Sequence, residues 1–217
     1  MLKSKKHVFW EALVITIAIF LVGLFTGILV ETGNSNKISN LYIQSEISLV
    51  DGTAISQLSK DSELDCDSLR KNNIDFANKI YEEAKLLEQY ETAGKLTDGM
   101  KLLHKKYDLL RTLLWMGNQN SLDRCDNYHL IVYLYEYEAE EIEKKATQKV
   151  WSKILLDLKK EDPNTLLIPI AADQEITSLN LLIEEYKINS LPALIVNNKD
   201  VLYTIKNTQN VKDLFNN

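Results

Sequence analysis

The sequence is poor in sulfur, ring and hinge residues. Among 217 residues there are 2 Cys, 3 Pro and 7 Gly, and only 8% are aromatic. Two cysteines cannot build a disulfide-dense mini-protein, and so little glycine and proline excludes collagen-like or low-complexity chains. Basic residues are also in short supply, 25 Lys and Arg against 31 Asp and Glu. Nucleic acid and anionic lipid both need a basic footprint, so neither is expected as the principal partner. No Gly-x-Ser-x-Gly, phosphate loop or His-Glu-x-x-His occurs, which leaves no candidate catalytic motif. The expectation is a non-enzyme with no cofactor and no metal.

What is present is unevenly distributed. Residues 12–30, ALVITIAIFLVGLFTGILV, carry no charge. As a helix these nineteen residues span about 28 Å, close to the hydrocarbon thickness of a bilayer. Val8, Phe9 and Trp10 extend the run, so residues 8–30 are expected to contact lipid, with Trp10 at headgroup level. Lys3, Lys5 and Lys6 precede the run and Glu31 follows it. That asymmetry predicts a single-pass anchor in the cell membrane, N-terminus cytoplasmic and the rest extracytoplasmic. Ile28-Leu29-Val30-Glu31 offers no small-residue cleavage site, which argues against a signal peptide. Gly23 and Gly27 form a Gly-x-x-x-Gly pair, a candidate face for a transmembrane homodimer, although glycine is also simply common in membrane helices.

Beyond the anchor, residues 32–37 read as a polar hinge. Residues 38–60 read as a helix with apolar positions Ile38, Leu41, Tyr42, Leu49, Ile55 and Leu58, kinked or interrupted at Asp51-Gly52. Residues 66–92 place Leu69, Phe76, Ile80, Leu87 and Tyr90 near one stripe. Gly94 stops that helix, Thr97 and Asp98 cap the next, and Gly117 ends it. Its interior holds Leu102, Leu103, Leu109, Leu110, Leu113, Leu114 and Trp115, while His104-Lys105-Lys106 reads as a solvated face. Two long amphipathic helices with a short connection make an antiparallel hairpin.

The hairpin bears on the cysteines. About 27 residues out and about 21 back return the chain to within roughly 9 Å of the level of Cys66, and residues 118–125 easily cover that gap. Outside the cytoplasm, two cysteines and no third predict a structural Cys66–Cys125 disulfide. A metal site made from Asp65, Cys66, Asp67, Cys125, Asp126 and His129 is the sharper alternative, but Cys-x-x-x-His is only half of a zinc pattern.

Residues 127–217 read as a third region after 1–31 and 32–126. Residues 130–135 (LIVYLY) and 166–171 read as strands buried on both faces. Between them a helix at 139–161 runs through Ile142, Ala146, Val150, Ile154, Leu155 and Leu158. A helix at 178–186 follows, then strands at 193–196 and 201–205 joined by the turn Asn197-Asn198-Lys199-Asp200, then a helix at 210–215. The order is β-α-β-α-β-β-α, with the first two strands parallel and the last two a hairpin.

Residues 186–196, YKINSLPALIV, with the following Asn198-Lys199-Asp200-Val201, resemble the thioredoxin-family segment that leads through a cis-proline into a strand and hairpin turn. The resemblance covers residues 128–217. It implies an α/β thioredoxin-like domain in which Pro192 is the cis-proline. It also implies that Tyr137, Leu191 and Pro192 line a surface that, in relatives, binds extended polypeptide. The departure is at the redox motif, whose cysteine positions fall near Ala139 and Ile142 in a stretch without sulfur. Dithiol exchange needs an attacking thiolate, so that chemistry is excluded there. Glu138, Glu140, Glu141 and Glu143 crowd the same helix start, where negative charge is favoured by about 0.3–1 kcal/mol per group; a cation site is the alternative. The expected function is a redox-inactive, membrane-anchored protein-binding or assembly module with an unknown protein partner or client. Two other classes stay open: an accessory thiol-disulfide oxidoreductase using Cys66 and Cys125, and a structural subunit of an envelope complex.

Overall fold

The structure, a computed structural model, describes residues 5–61, 65–92, 98–122, 125 and 128–215. It is a mixed α/β protein that divides into two compact units, Met1–Gln44 and Ser45–Asn217. The expected helix stop at Gly94, the Thr97 cap and Asp126 lie outside the described residues.

The described residues of the first unit lie in helix α1 (Lys5–Asp61). Its segment His7–Leu29 has a mean hydropathy of 2.7 over 23 residues, about 34 Å of helix, long and apolar enough to cross a membrane. The Thr16 and Thr26 hydroxyls donate to the carbonyls of Ala12 and Val22, each at 2.9 Å. They thereby satisfy themselves within an apolar run, as lipid would require. The expected hinge at residues 32–37 does not form, because α1 runs through it. Once a helix is nucleated each further residue adds one hydrogen bond, and a lone glycine weakens it by only about 1 kcal/mol.

The second unit holds the rest of α1, then α2 (Cys66–Thr92), α3 (Asp98–Gly117) and the short α4 (Gln119–Leu122). The remaining order is β1 (His129–Tyr135), α5 (Ile142–Glu161), β2 (Thr165–Ala171), α6 (Thr177–Glu185), β3 (Ala193–Val196), β4 (Asp200–Leu202) and α7 (Gln209–Lys212). The helical region from Ser45 and the sheet belong to this one unit. Asp51-Gly52 does not interrupt α1. Gly52 is buried, and a Cβ there would lie 2.9 Å from the Phe76 ring. The glycine is a close-approach residue, not a breaker. The stripe expected on α2 is the buried one at Leu69, Phe76, Ile80 and Leu87. On α3, Leu103, Leu110, Leu114 and Trp115 are buried while Leu102 is exposed.

The sheet order is β2-β1-β3-β4, with β1 parallel to β2 and antiparallel to β3, and β3 antiparallel to β4. Ile131 and Tyr133 face a core formed with Trp151, Leu155 and Leu158 of α5 and Val211 of α7. The alternating residues Leu130, Val132 and Leu134 are buried as well, so β1 is covered on both faces. Edge strand β2 is packed by α2 and α3, which shields an edge that would otherwise invite pairing. That edge position also tolerates Pro169. In the β3–β4 turn Asn197 and Asn198 adopt φ of 49° and 56°, a left-handed conformation that asparagine accepts more readily than most residues. Their side chains tie the turn down, accepting from the Leu130 N–H at 3.0 Å and the Trp115 indole at 2.8 Å.

Two expectations change at α5. It begins at Ile142, not 139. The N–H groups before it are taken by side chains: Glu136 donates to Gln148 at 2.9 Å, and Tyr137 and Glu138 donate to Asp173 at 3.0 and 2.9 Å. With those donors satisfied, no earlier helical turn is needed. The expected core stripe also splits. Leu155 and Leu158 are buried, but Ile142, Ala146 and Val150 are exposed.

Candidate functional site: a tyrosine-lined cleft and an exposed apolar stripe

Cys66, the first residue of α2, is disulfide-bonded to Cys125, with Cα atoms 5.5 Å apart. Cys125 is only 6% exposed. The adjoining polar network centres on Asn118, whose Oδ1 accepts from Asn73 Nδ2 and the Tyr128 hydroxyl, each at 2.7 Å. Its Nδ2 donates to the Leu114 carbonyl at 2.7 Å. Burial pushes the Tyr128 hydroxyl well above its ordinary pKa. The alternative metal site loses both thiolates to this bond, and His129 stacks on Phe215 with centroids 3.9 Å apart.

Past β1, Ala139 is buried and Ile142 is 85% exposed. The glutamate cluster meets the start of α5 only in part. Glu141 sits at the N-cap without a side-chain capping bond, and among the four only Glu143 falls in the first turn. Glu138 accepts from Lys101 at 2.9 Å, and both groups are too exposed for that pair to contribute much.

Among the described residues a cleft of about 520 Å³ opens between helices and sheet. Its floor is Tyr133 and Tyr135 of β1 with Leu167 and Pro169 of β2; one wall comes from α2, the other from α5. The strand register explains the floor, since Tyr133 lies opposite Pro169 and Tyr135 opposite Ala171. Residues two apart on a strand share a face, and Tyr133 and Tyr135 stack with centroids 5.5 Å apart. Burial raises the Tyr133 hydroxyl to about 12 and lifts Tyr135 further, with Asp108 adding to the latter. Arg111, at the cleft margin, donates to buried Asp108 at 2.9 Å, and the Ala171 N–H reaches the same carboxylate at 3.2 Å. Burial raises the Asp108 carboxyl while those two donors pull it back.

The expected surface residues do not share this cleft. Tyr137 lines it, its ring 4.8 Å from His104, but Leu191 and Pro192 are not among the lining residues. The Leu191–Pro192 peptide bond is cis and immediately precedes β3. Gly23 and Gly27 have nothing within 4 Å of a notional Cβ. The segment expected to be a solvated face is partly buried: His104 reaches the cleft and Lys106 engages Glu46. Compared with known protein families, curated proteins and solved structures, the chain matches none.

Sequence reasoning missed the cleft because its lining is drawn from α2, α3, β1, α5 and β2. The one available signal was Tyr133-x-Tyr135 on a strand assigned two buried faces. The Asp108–Arg111 pair was visible only as an i,i+3 spacing, with nothing to show that it is buried.

Proposed function

We propose that the chain is a single-pass membrane protein that displays a redox-inactive, thioredoxin-like domain outside the cytoplasm, where it binds or assembles other proteins. The apolar segment His7–Leu29 supports the anchor, and the lysines before it support the orientation. A disulfide persists in oxidising compartments, so the Cys66–Cys125 bond fits an extracytoplasmic location. The β2-β1-β3-β4 order, with one parallel and two antiparallel pairings, supports the thioredoxin-like reading. Function remains a property of the site, not of the fold.

The observation that carries the binding role is the stripe Ile142, Ala146 and Val150 at i, i+4 and i+8 on α5. Ile142 is 85% exposed and Val150 56% exposed, and residues at that spacing share one helix face. Exposed apolar side chains scattered singly are ordinary, whereas an aligned row marks an interaction surface. It begins where the redox motif of a thioredoxin would stand. A partner polypeptide laying apolar side chains along it, with Leu191 and Pro192 as expected further contacts, is the proposed client mode.

Photo-crosslinking from positions 142 and 191 of the full chain in its native membrane tests this. Defined polypeptide adducts at those positions, and none from exposed Lys160 on the same helix, are expected. Adducts absent at both, or identical from Lys160, would sink the proposal. The oxidoreductase alternative is opposed by the burial of Cys125; a structural bond is expected to show a reduction potential below about −300 mV.

A further inference from the structure

The tyrosine-lined cleft is separate from the apolar stripe and does not depend on the thioredoxin-like reading. We propose that it binds a small anionic ligand, a carboxylate or phosphate carried on a planar aromatic body.

Its size suits such a ligand. About 520 Å³ falls within the roughly 300–1,000 Å³ of small-molecule sites. Lining charge gives the sign. Lys85 on α2 and Lys149 and Lys159 on α5 all line the cleft, and among the described residues none of the three is in an ion pair. The other charges are largely matched: Glu136 accepts from Lys144 at 2.7 Å, and Arg111 is held by Asp108 at 2.9 Å. Glu88 is the remaining acid in the lining. Three cations against one acid reverse, locally, the net charge of −6 carried by the whole chain. Such a reversal in a concave, partly desolvated site attracts anions.

Lys159 sharpens the case. Its ammonium donates to Asn78, and burial lowers its pKa. A charge held against a desolvation penalty gains from an added counter-charge more than an exposed one does. The floor supplies the rest. Tyr135, only partly buried and backed by the buried Tyr133 ring 5.5 Å away, presents aromatic surface for stacking a planar body. The Tyr133 hydroxyl is committed to the Gln148 carbonyl at 3.2 Å, but among the described residues the Tyr135 hydroxyl has no hydrogen-bond partner. Burial keeps it protonated, so it can donate to an anionic oxygen.

The test uses the full chain in nanodiscs of zwitterionic lipid, read by saturation-transfer NMR with three probes. Indole-3-acetate and phenyl phosphate are the anionic probes, and indole-3-acetamide is the neutral match to the first. Saturable binding of at least one anion is expected, at least tenfold tighter than the acetamide. Tighter phenyl phosphate would assign a phosphate ligand, and tighter indole-3-acetate a carboxylate. Lys85→Gln with Lys149→Gln should weaken the anion at least tenfold while leaving the thermal melt unchanged, since both side chains are exposed. Tyr135→Phe, which removes only a hydroxyl, should weaken it about threefold or more in the same assay, the loss of a modest hydrogen bond. No saturable anion binding, equal binding of acid and amide, or indifference to the double lysine change would each overturn the proposal.

Discussion

Gly52 occupies the point where α1 meets the Phe76 ring, and a Cβ there would also stand 3.8 Å from Leu110. Gly52→Leu is expected to destabilise the protein by about 1–3 kcal/mol through overpacking, measured by denaturant titration; unchanged stability would mean that Phe76 simply moves aside. Asn118 presents the opposite case, a polar residue that the interior needs. Its Oδ1 is the acceptor for both Asn73 and Tyr128. Asn118→Leu should therefore lose about 1–3 kcal/mol for each stranded donor, and Tyr128→Phe, which removes a donor instead of stranding one, should lose less. Neither role was legible from the residue types alone. A glycine after an aspartate looks like a breaker until a ring is seen packed on it, and an asparagine after Gly117 looks like a turn.

Helix α5 shows how far periodicity reaches. The sequence pattern located the helix and two of its core residues, Leu155 and Leu158, but assigned Ile142, Ala146 and Val150 to the same face. The core instead turns about Trp151, which is 3% exposed. Trp151→Ala is expected to lose about 3–5 kcal/mol, whereas Val150→Ala should stay within about 0.5 kcal/mol; comparable losses in paired melts would overturn the split. The helical hairpin was more legible. Counting residues out and back along α2 and α3 brought Cys125 to Cys66, and the bond is there. Cys66→Ser with Cys125→Ser should lose roughly 4 kcal/mol by loop entropy across a separation of 59 residues. Helix α1 escaped the reading at two places, since neither residues 32–37 nor Gly52 breaks it. Local propensity is a weak term once long helical segments flank it on both sides.

Across the whole molecule the tyrosines set the response to alkali. Tyr107 of α3, Tyr128 before β1, Tyr133 and Tyr135 of β1, and Tyr186 past α6 are all raised, in each case chiefly by burial. A tyrosine of the unfolded chain ionises near 10.0, while Tyr133 in the fold holds its proton to about 12. Above pH 10 the unfolded chain therefore binds fewer protons than the native one, and stability falls as pH rises. Below pH 10 this contribution is fully present. The expected outcome is a cooperative loss of structure between pH 10 and 12, coincident with the rise of tyrosinate absorbance. Tyrosinate appearing gradually before any loss of structure would contradict it.

Read alone, the sequence determined an N-terminal apolar span, the count and order of the strands, the hairpin return and the absence of thiols at the end of β1. These follow from local pattern: run length, period and residue spacing. Only the tertiary structure decided which face of α5 is buried, why Gly52 is a glycine, and that four tyrosines and three lysines from separate elements meet around one cleft. Those are questions of which surfaces touch. Residues far apart in the chain carry no periodic signature of one another, so the answer exists only once the elements are packed.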